Sequence, residues 1–330
     1  MTKYVTTCGK LYLAGEYAVL TPGQSALIKN INIRMQAEID FSETYQLVSD
    51  MFNYTVDLNP DQNYALIQET ILVMEEFLAD QGLKLRPIRL SISGKMERDG
   101  KKFGIGSSGS VVLLTIKAMA ELYDLSLSRD SLFRLATYVL VKRGDNGSMG
   151  DLACIAFEDL ILYQSFDRHS LAQLIQEIPL RQVLASDWGY QIKPVSSQLT
   201  CQFLVGWTQE PSISAEMITQ VKSAITPQFL SETEKATQKL TQAIEQGNQQ
   251  GSIQQINRIS ELLANLSPLI YTEDLVALRQ ATEGVEAVAK SSGSGGGDCG
   301  IALVFSKVAE KKIKERWQRL GIELLYASEL

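Results

Sequence analysis

Apolar residues alternate or run together through "KLYLAGEYAVL" (residues 10–20) and "ALIKNINIRMQAEID" (26–40), and "TPGQ" breaks them apart. The first forty residues therefore read as strands joined by a tight turn. In "NYALIQETILVMEEFLADQ" (63–81) the apolar positions recur every three or four residues and stop at Gly82, which predicts a helix. "RPIRLSIS" (86–93) sets Ile88, Leu90 and Ile92 on one face, the alternation of a strand. After a polar interval comes "KKFGIGSSGSVVLL" (101–114), which opens a helical stretch carrying Val111, Leu114, Ala118 and Leu122 at three- or four-residue spacing. A second helix follows in "SRDSLFRLATYVLVKR" (128–143), with Ser128 as its cap. The polar turn "GDNGSMGD" and the short apolar "LACIAF" come next.

The pattern restarts near residue 200. "CQFLVGW" reads as a strand, and "SAEMITQVKSAI" and the stretches near 232–246, 252–265 and 272–290 read as helices. "SSGSGGGDCG" leads into the strand "IALVF", a basic helix "SKVAEKKIKERWQRLG" and a last strand "IELLYA". Each half mixes strands and helices in the α+β manner, with a boundary near 195 that divides the chain into 1–195 and 196–330. No internal repeat is present, and the only low-complexity stretch is 291–297.

Composition narrows the function. The 330 residues are 45% hydrophobic and 21% charged, as in soluble globular proteins, and the net charge of −7 speaks against a general nucleic-acid binder. Cys8, Cys154, Cys201 and Cys299 are scattered, without the paired spacing of a zinc or redox site, and read as reduced buried thiols. The first twenty residues lack the basic and apolar regions of a signal peptide, and no run approaches the roughly 18 apolar residues that span a bilayer. The expectation is a cytoplasmic protein with no membrane partner. The one histidine, His169, sits in the polar "FDRHSL" and reads as a surface residue, so acid–base chemistry falls to Asp, Glu or Lys.

The stretch 101–114 spells G-x-G-x-x-G through Gly104, Gly106 and Gly109. A dinucleotide-binding turn needs a strand running straight into the loop and a second strand after the helix; here a polar interval precedes the loop and another helix follows. A Walker loop needs Lys where Ser110 stands, and the H-R-D and D-F-G of protein kinases are missing. What survives is a phosphate cradle or a plain capped turn. In the first reading, main-chain N–H groups of the glycine loop and the positive end of the following helix face an anion, and the hydroxyls of Ser107, Ser108 and Ser110 are available to phosphate or magnesium.

Three stretches in fixed order, "GKLYLAGEYAVL", "KFGIGSSGSVV" and "KSSGSGGGDCGIAL", together resemble the three motifs of the GHMP kinases, a family that includes galactokinase, homoserine kinase, mevalonate kinase and phosphomevalonate kinase. A Tyr directly after the Glu of the first motif most resembles the phosphomevalonate kinase branch. The resemblance implies a two-domain fold, ribosomal S5 domain 2-like then ferredoxin-like, with the active site between the domains. It implies ATP and Mg2+ as cofactors and 5-phosphomevalonate as the small-molecule acceptor, giving 5-diphosphomevalonate and ADP in isoprenoid synthesis. Mevalonate kinase or another small-molecule kinase of the family is the alternative, and the oligomeric state stays unassigned.

By the same resemblance, Lys10 and Asp151 are the catalytic pair. Lys102, Gly104, Gly106, Ser107, Ser108, Gly109 and Ser110 hold the nucleotide, with Ser108 also on the metal. Tyr17, Ser148, Ser212, Ser214, Lys222, Gly295 and Gly296 face the acceptor or the reacting phosphoryl group, with Lys101 and Arg143 as further cations. Two departures stand out. Asp298 lies among the phosphate-binding glycines, and "YVLVKRGDNG" holds no Glu where relatives carry a magnesium ligand, leaving Asp145 or Asp151 for that role.

Overall fold

The computed structural model describes residues 1–212 and 215–330, with side chains left out at 215–217. In the first half a 17-residue strand, Ser25–Phe41, is the axis of a six-stranded sheet. Lys3–Ala14 pairs antiparallel along one edge of it, from Lys3 opposite Ile39 to Ala14 opposite Leu27. The other edge is shared by Leu160–Gln164, opposite its first residues, and Ile88–Ser93, opposite its last. Gln46–Ser49 and Gln191–Pro194 complete the sheet.

Helix Ser107–Leu122 lies on the two long strands, with helices Ala65–Asp80 and Arg129–Lys142 beside it. It is apolar almost all round: Val112, Leu113, Leu114, Ile116, Ala118, Met119, Ala120 and Leu122 are all buried. A helix with no polar face belongs in a core, and this position sets its N-terminus, with the glycine loop ahead of it, at the mouth of a cleft. The Ser128 cap is present, its side chain accepting from the Ser131 N–H.

The second half holds four antiparallel strands in the order Ala287–Ser291, Cys299–Val304, Gln202–Trp207, Glu323–Glu329. Helices Ala215–Ser223, Pro227–Glu245, Gln249–Leu266 and Glu273–Gln280 lie in sequence between strands Gln202–Trp207 and Ala287–Ser291, and Lys307–Arg319 precedes Glu323–Glu329. Helices Pro227–Glu245 and Gln249–Leu266 pair with each other; the first also touches the long strands of the other half, and the second touches Ala287–Ser291. One apolar cluster runs through both halves, and a smaller one lies around Trp317, which is fully buried and donates its indole N–H to Leu278 O at 3.1 Å.

Two readings of the pattern are corrected, and one unassigned stretch gains its element. The expected helix at 272–290 ends at Gln280, and Ala287–Ser291 is a strand paired with Cys299–Val304, because Gly284 at φ +70° turns the chain between them. The apolar "LACIAF" belongs to a short helix, Gly150–Phe157. The first strand stops at Ala14, and Ala18–Leu20 is a single 3-10 turn.

Candidate active site

A cavity of about 610 Å³ has walls from both halves of the chain, including Lys10, Tyr17, Gly104, Ser148, Asp151 and Lys222. The glycine loop forms one side of it. Gly106 caps helix Ser107–Leu122 in the left-handed region at φ +91°, where an L side chain is strained. A Cβ at Gly106 would stand 3.0 Å from Lys10 Cε, and one at Gly109 would stand 3.2 Å from Asp151 Oδ2. The bare glycines are what let both side chains lie against the loop. The main-chain N–H of Lys10 donates to Ile105 O at 2.9 Å and fixes the strand to the loop. Behind it the first helical N–H groups have no partner within the helix and face anions with a partial positive charge of about half a unit.

Lys10 is buried at 7% exposure, and among the described residues its ammonium group has no carboxylate within ion-pair range. Its nitrogen stands 5.3 Å from the centre of the Tyr12 ring. Asp151 occupies the first turn of helix Gly150–Phe157. Burial raises its pKa, against the opposing charge of Lys10 and the N–H of Leu152. Ser148 stands just before that helix, its hydroxyl 3.1 Å from the Tyr12 hydroxyl and accepting from the Gly150 N–H at 3.2 Å.

The third glycine stretch is hooked to the first motif. The Ser292 hydroxyl accepts from Tyr12 N at 2.9 Å and donates to Tyr12 O at 3.0 Å, and the Tyr17 hydroxyl donates to Ser294 O at 2.6 Å. Lys290 donates to Glu16 Oε1 and, at 2.6 Å, to Ser291 O, with both side chains almost wholly buried. Removing one member of such a pair leaves an uncompensated buried charge and costs about 3–5 kcal/mol. Glu16 also lines the cavity, its Oε2 without a partner among the described residues. Sequence reasoning missed this pair; its only signal is a charge closing a short apolar run on each side, "LYLAGE" and "AVAK".

Of the expected site residues, Lys10, Tyr17, Gly104, Ser148, Asp151 and Lys222 share the cavity wall. Ser107 and Ser108 stand at the helix start, Ser108 exposed. Ser110 is corrected: it is fully buried, its hydroxyl donates to Cys8 O at 2.9 Å and its N–H bonds Gly106 O at 3.0 Å, so it turns away from any ligand. Gly295 and Gly296 are turned toward Ile270, whose carbonyl accepts from Gly296 N at 2.9 Å; from this stretch it is Ser292, Gly293, Ser294 and Asp298 that reach the cavity. Lys101 and Lys102 lie exposed in a small hairpin ahead of the loop, and Arg143 pairs with Glu69 at 2.7 Å. Ser212 bonds the carboxylate of Asp298, and Ser214 lies outside the described residues. His169 is on the surface. Among the described residues no cluster of three or more His, Cys, Asp or Glu is arranged as a metal site. Asp145 lines the cavity but accepts from Gly147 N at 2.6 Å within its own turn.

Residues 65–159 match the GHMP kinase N-terminal domain and residues 240–323 the GHMP kinase C-terminal domain. The chain belongs to the GHMP kinase family, and its two-domain architecture is that of the family. A phosphomevalonate kinase from Streptococcus pneumoniae, solved in complex with phosphomevalonate and AMPPNP, is 55% identical over 99% of this chain and 100% of its own, with a TM-score of 0.98. The phosphomevalonate kinase of Streptomyces sp. (strain CL190) is 29% identical over 95% of this chain and 93% of its own. The mevalonate kinase of Methanococcus jannaschii, at 19% identity and a TM-score of 0.76 over 100% and 99% of the two chains, shares the fold.

Proposed function

We infer that this chain is a phosphomevalonate kinase, an ATP-dependent phosphotransferase that passes the γ-phosphoryl group to the phosphate of 5-phosphomevalonate, yielding 5-diphosphomevalonate and ADP in the mevalonate pathway. The observation that carries the reading is the near-complete match, at 55% identity, to a phosphomevalonate kinase solved with phosphomevalonate and AMPPNP. The cofactors are ATP and Mg2+.

Phosphoryl transfer is largely positioning and charge stabilisation. The acceptor is itself a phosphate with a second pKa of about 6, so at neutral pH it arrives mostly ionised and needs little deprotonation. The obstacle is repulsion between two anions. Lys10, whose ammonium has no carboxylate partner among the described residues, offsets it between the loop and the acceptor. Asp151, beside Lys10 and resting against Gly109, orients the acceptor oxygen more than it removes a proton. The N–H groups at the start of helix Ser107–Leu122 hold the nucleotide phosphates, with Lys102 at the outer side of the loop. Lys222, Ser148 and Tyr17 face the acceptor, and the loop holding Ser212 closes the same side. Mg2+, when bound, offsets charge on the nucleotide phosphates. The donor set fits it: the Ser108 hydroxyl is exposed without a protein partner among the described residues, and the Asp151 carboxylate lies one residue beyond, at Gly109.

The domain boundary at residue 195, with the nucleotide loop in the N-terminal domain and a ferredoxin-like domain after it, belongs to this proposal, as does a cytoplasmic location. No helix among the described residues is long and apolar enough to cross a membrane. ADP release measured with 5-phosphomevalonate, mevalonate, homoserine, galactose and diphosphomevalonate in parallel tests the assignment. Turnover is expected with phosphomevalonate alone; turnover with mevalonate and none with phosphomevalonate would overturn it in favour of mevalonate kinase.

A further inference from the structure

Asp298 follows directly on the glycines 295–297, and its backbone adopts φ +53°, a conformation that favours glycine. Its carboxylate lies directly on the first glycine of the nucleotide loop: a Cβ on Gly104 would fall 2.3 Å from Asp298 Oδ2 and 2.5 Å from its Cγ. Both residues line the cavity with Lys10. The position is held on every side. The Asp298 N–H donates to Glu210 O at 2.8 Å, its carbonyl accepts from Thr208 N at 2.9 Å and Thr208 Oγ1 at 3.0 Å, and its carboxylate accepts from Ser212. Lys10 and Lys102 act on the carboxylate through their charges, but among the described residues none forms an ion pair with it within 4 Å. A region built to attract anions thus carries a fixed negative charge of its own, pressed against the loop that receives the phosphates.

A bare nucleotide must bring several negative charges up to that carboxylate in a partly buried site, where repulsion is much less screened than in water. We propose that Asp298 is a specificity-determining residue that makes nucleotide binding depend on the divalent cation: the loop accepts phosphates whose charge a cation offsets and disfavours the metal-free anion. The proposal rests on the reading of 104–110 as the nucleotide loop.

The test is ADP binding to the full chain by calorimetry, without acceptor, in Mg2+ and again in EDTA. Asp298→Asn is expected to bind metal-free ADP about tenfold more tightly than the parent, ~1.4 kcal/mol, so that the ratio of the two dissociation constants falls about tenfold. Asp298→Gly, which also relieves the left-handed backbone, is expected to give the same fall and covers the case in which the Asn variant does not fold. Ser212→Ala removes the side-chain hydrogen bond, leaves the backbone one and keeps the charge, so its ratio is expected to stay within about twofold of the parent. An unchanged ratio in both Asp298 variants, or equal weakening with and without Mg2+, overturns the proposal and leaves Asp298 as a loop fastener only. A parent chain that binds no ADP even with Mg2+ overturns the nucleotide-loop reading as well.

Discussion

The two glycine-rich stretches of this chain look alike in composition and do different work. In 104–109 the missing side chains make room for functional groups: Lys10 lies against Gly106, Asp151 against Gly109 and Asp298 against Gly104. In 295–297 they make room for backbone. A Cβ at Gly295 would meet Ile270 O at 2.6 Å, and one at Gly297 would meet Pro211 O at 2.3 Å. What a glycine does is decided by what its absent Cβ would touch, and a count of glycines cannot tell the two uses apart.

Substitution in each stretch separates chemistry from architecture. Gly106→Ala forces an L residue into φ +91° and pushes Lys10 by a few tenths of an ångström. Since a displacement of about 1 Å in a positioning group can cost about 100-fold, kcat is expected to fall about 10- to 100-fold, read by ADP release, with little change in the circular dichroism spectrum. Gly295→Ala meets main chain that cannot step aside, at φ +73°. It is expected to lose about 2–4 kcal/mol in urea unfolding while the folded fraction keeps kcat within about threefold. A Gly295 variant that folds normally but turns over 100-fold more slowly would erase the distinction.

Ser110 sharpens it within the first stretch. Its hydroxyl serves Cys8 O and not the cavity, so Ser110→Ala is expected to cost about 1–2 kcal/mol of stability with the affinity for ATP unchanged. The smallest effect is on the pH dependence of stability. Burial holds the Asp151 pKa above its ordinary 3.8, so the folded chain binds that proton more tightly than the unfolded one. The carboxylate therefore adds no penalty well below 3.8, opposes folding increasingly as pH rises from 3.8 to its raised value, and does so in full above it. Asp151→Asn is expected to leave Tm unchanged in acid and to raise it by a few degrees near neutral pH, measured by thermal melts across that range. A variant that melts lower at neutral pH would mean that the carboxylate stabilises the fold.

Much of this was legible in the chain. Period alone located helix Ser107–Leu122 and its neighbour; the three ordered stretches singled out the loop and Lys10, and "GSMGD" singled out Asp151, all of which come together on one cavity wall. Direction was not legible. Nothing in "GIGSSGS" separates Ser108, which faces solvent, from Ser110, which lies under the strand, because the two are distinguished by the turn of a helix whose start is fixed in space by its burial. Nor does "TEGVEAVAK" announce a strand: its valines and alanines suit either period, and pairing with Cys299–Val304 decides the matter. The Glu16–Lys290 pair was not legible as a pair, because its members stand 274 positions apart and nothing in either run points to the other.

The account makes charge neutralisation by Lys10 the dominant contribution and proton removal by Asp151 a minor one, because the acceptor is already ionised. Turnover of Lys10→Ala and Asp151→Asn with 5-phosphomevalonate at saturating ATP and Mg2+, side by side, tests this most directly. The predicted result is a loss of about 10³-fold or more for Lys10→Ala and a clearly smaller loss, about 10–100-fold, for Asp151→Asn. A Lys10→Ala variant that loses less than about tenfold while Asp151→Asn loses 10³-fold or more would contradict it.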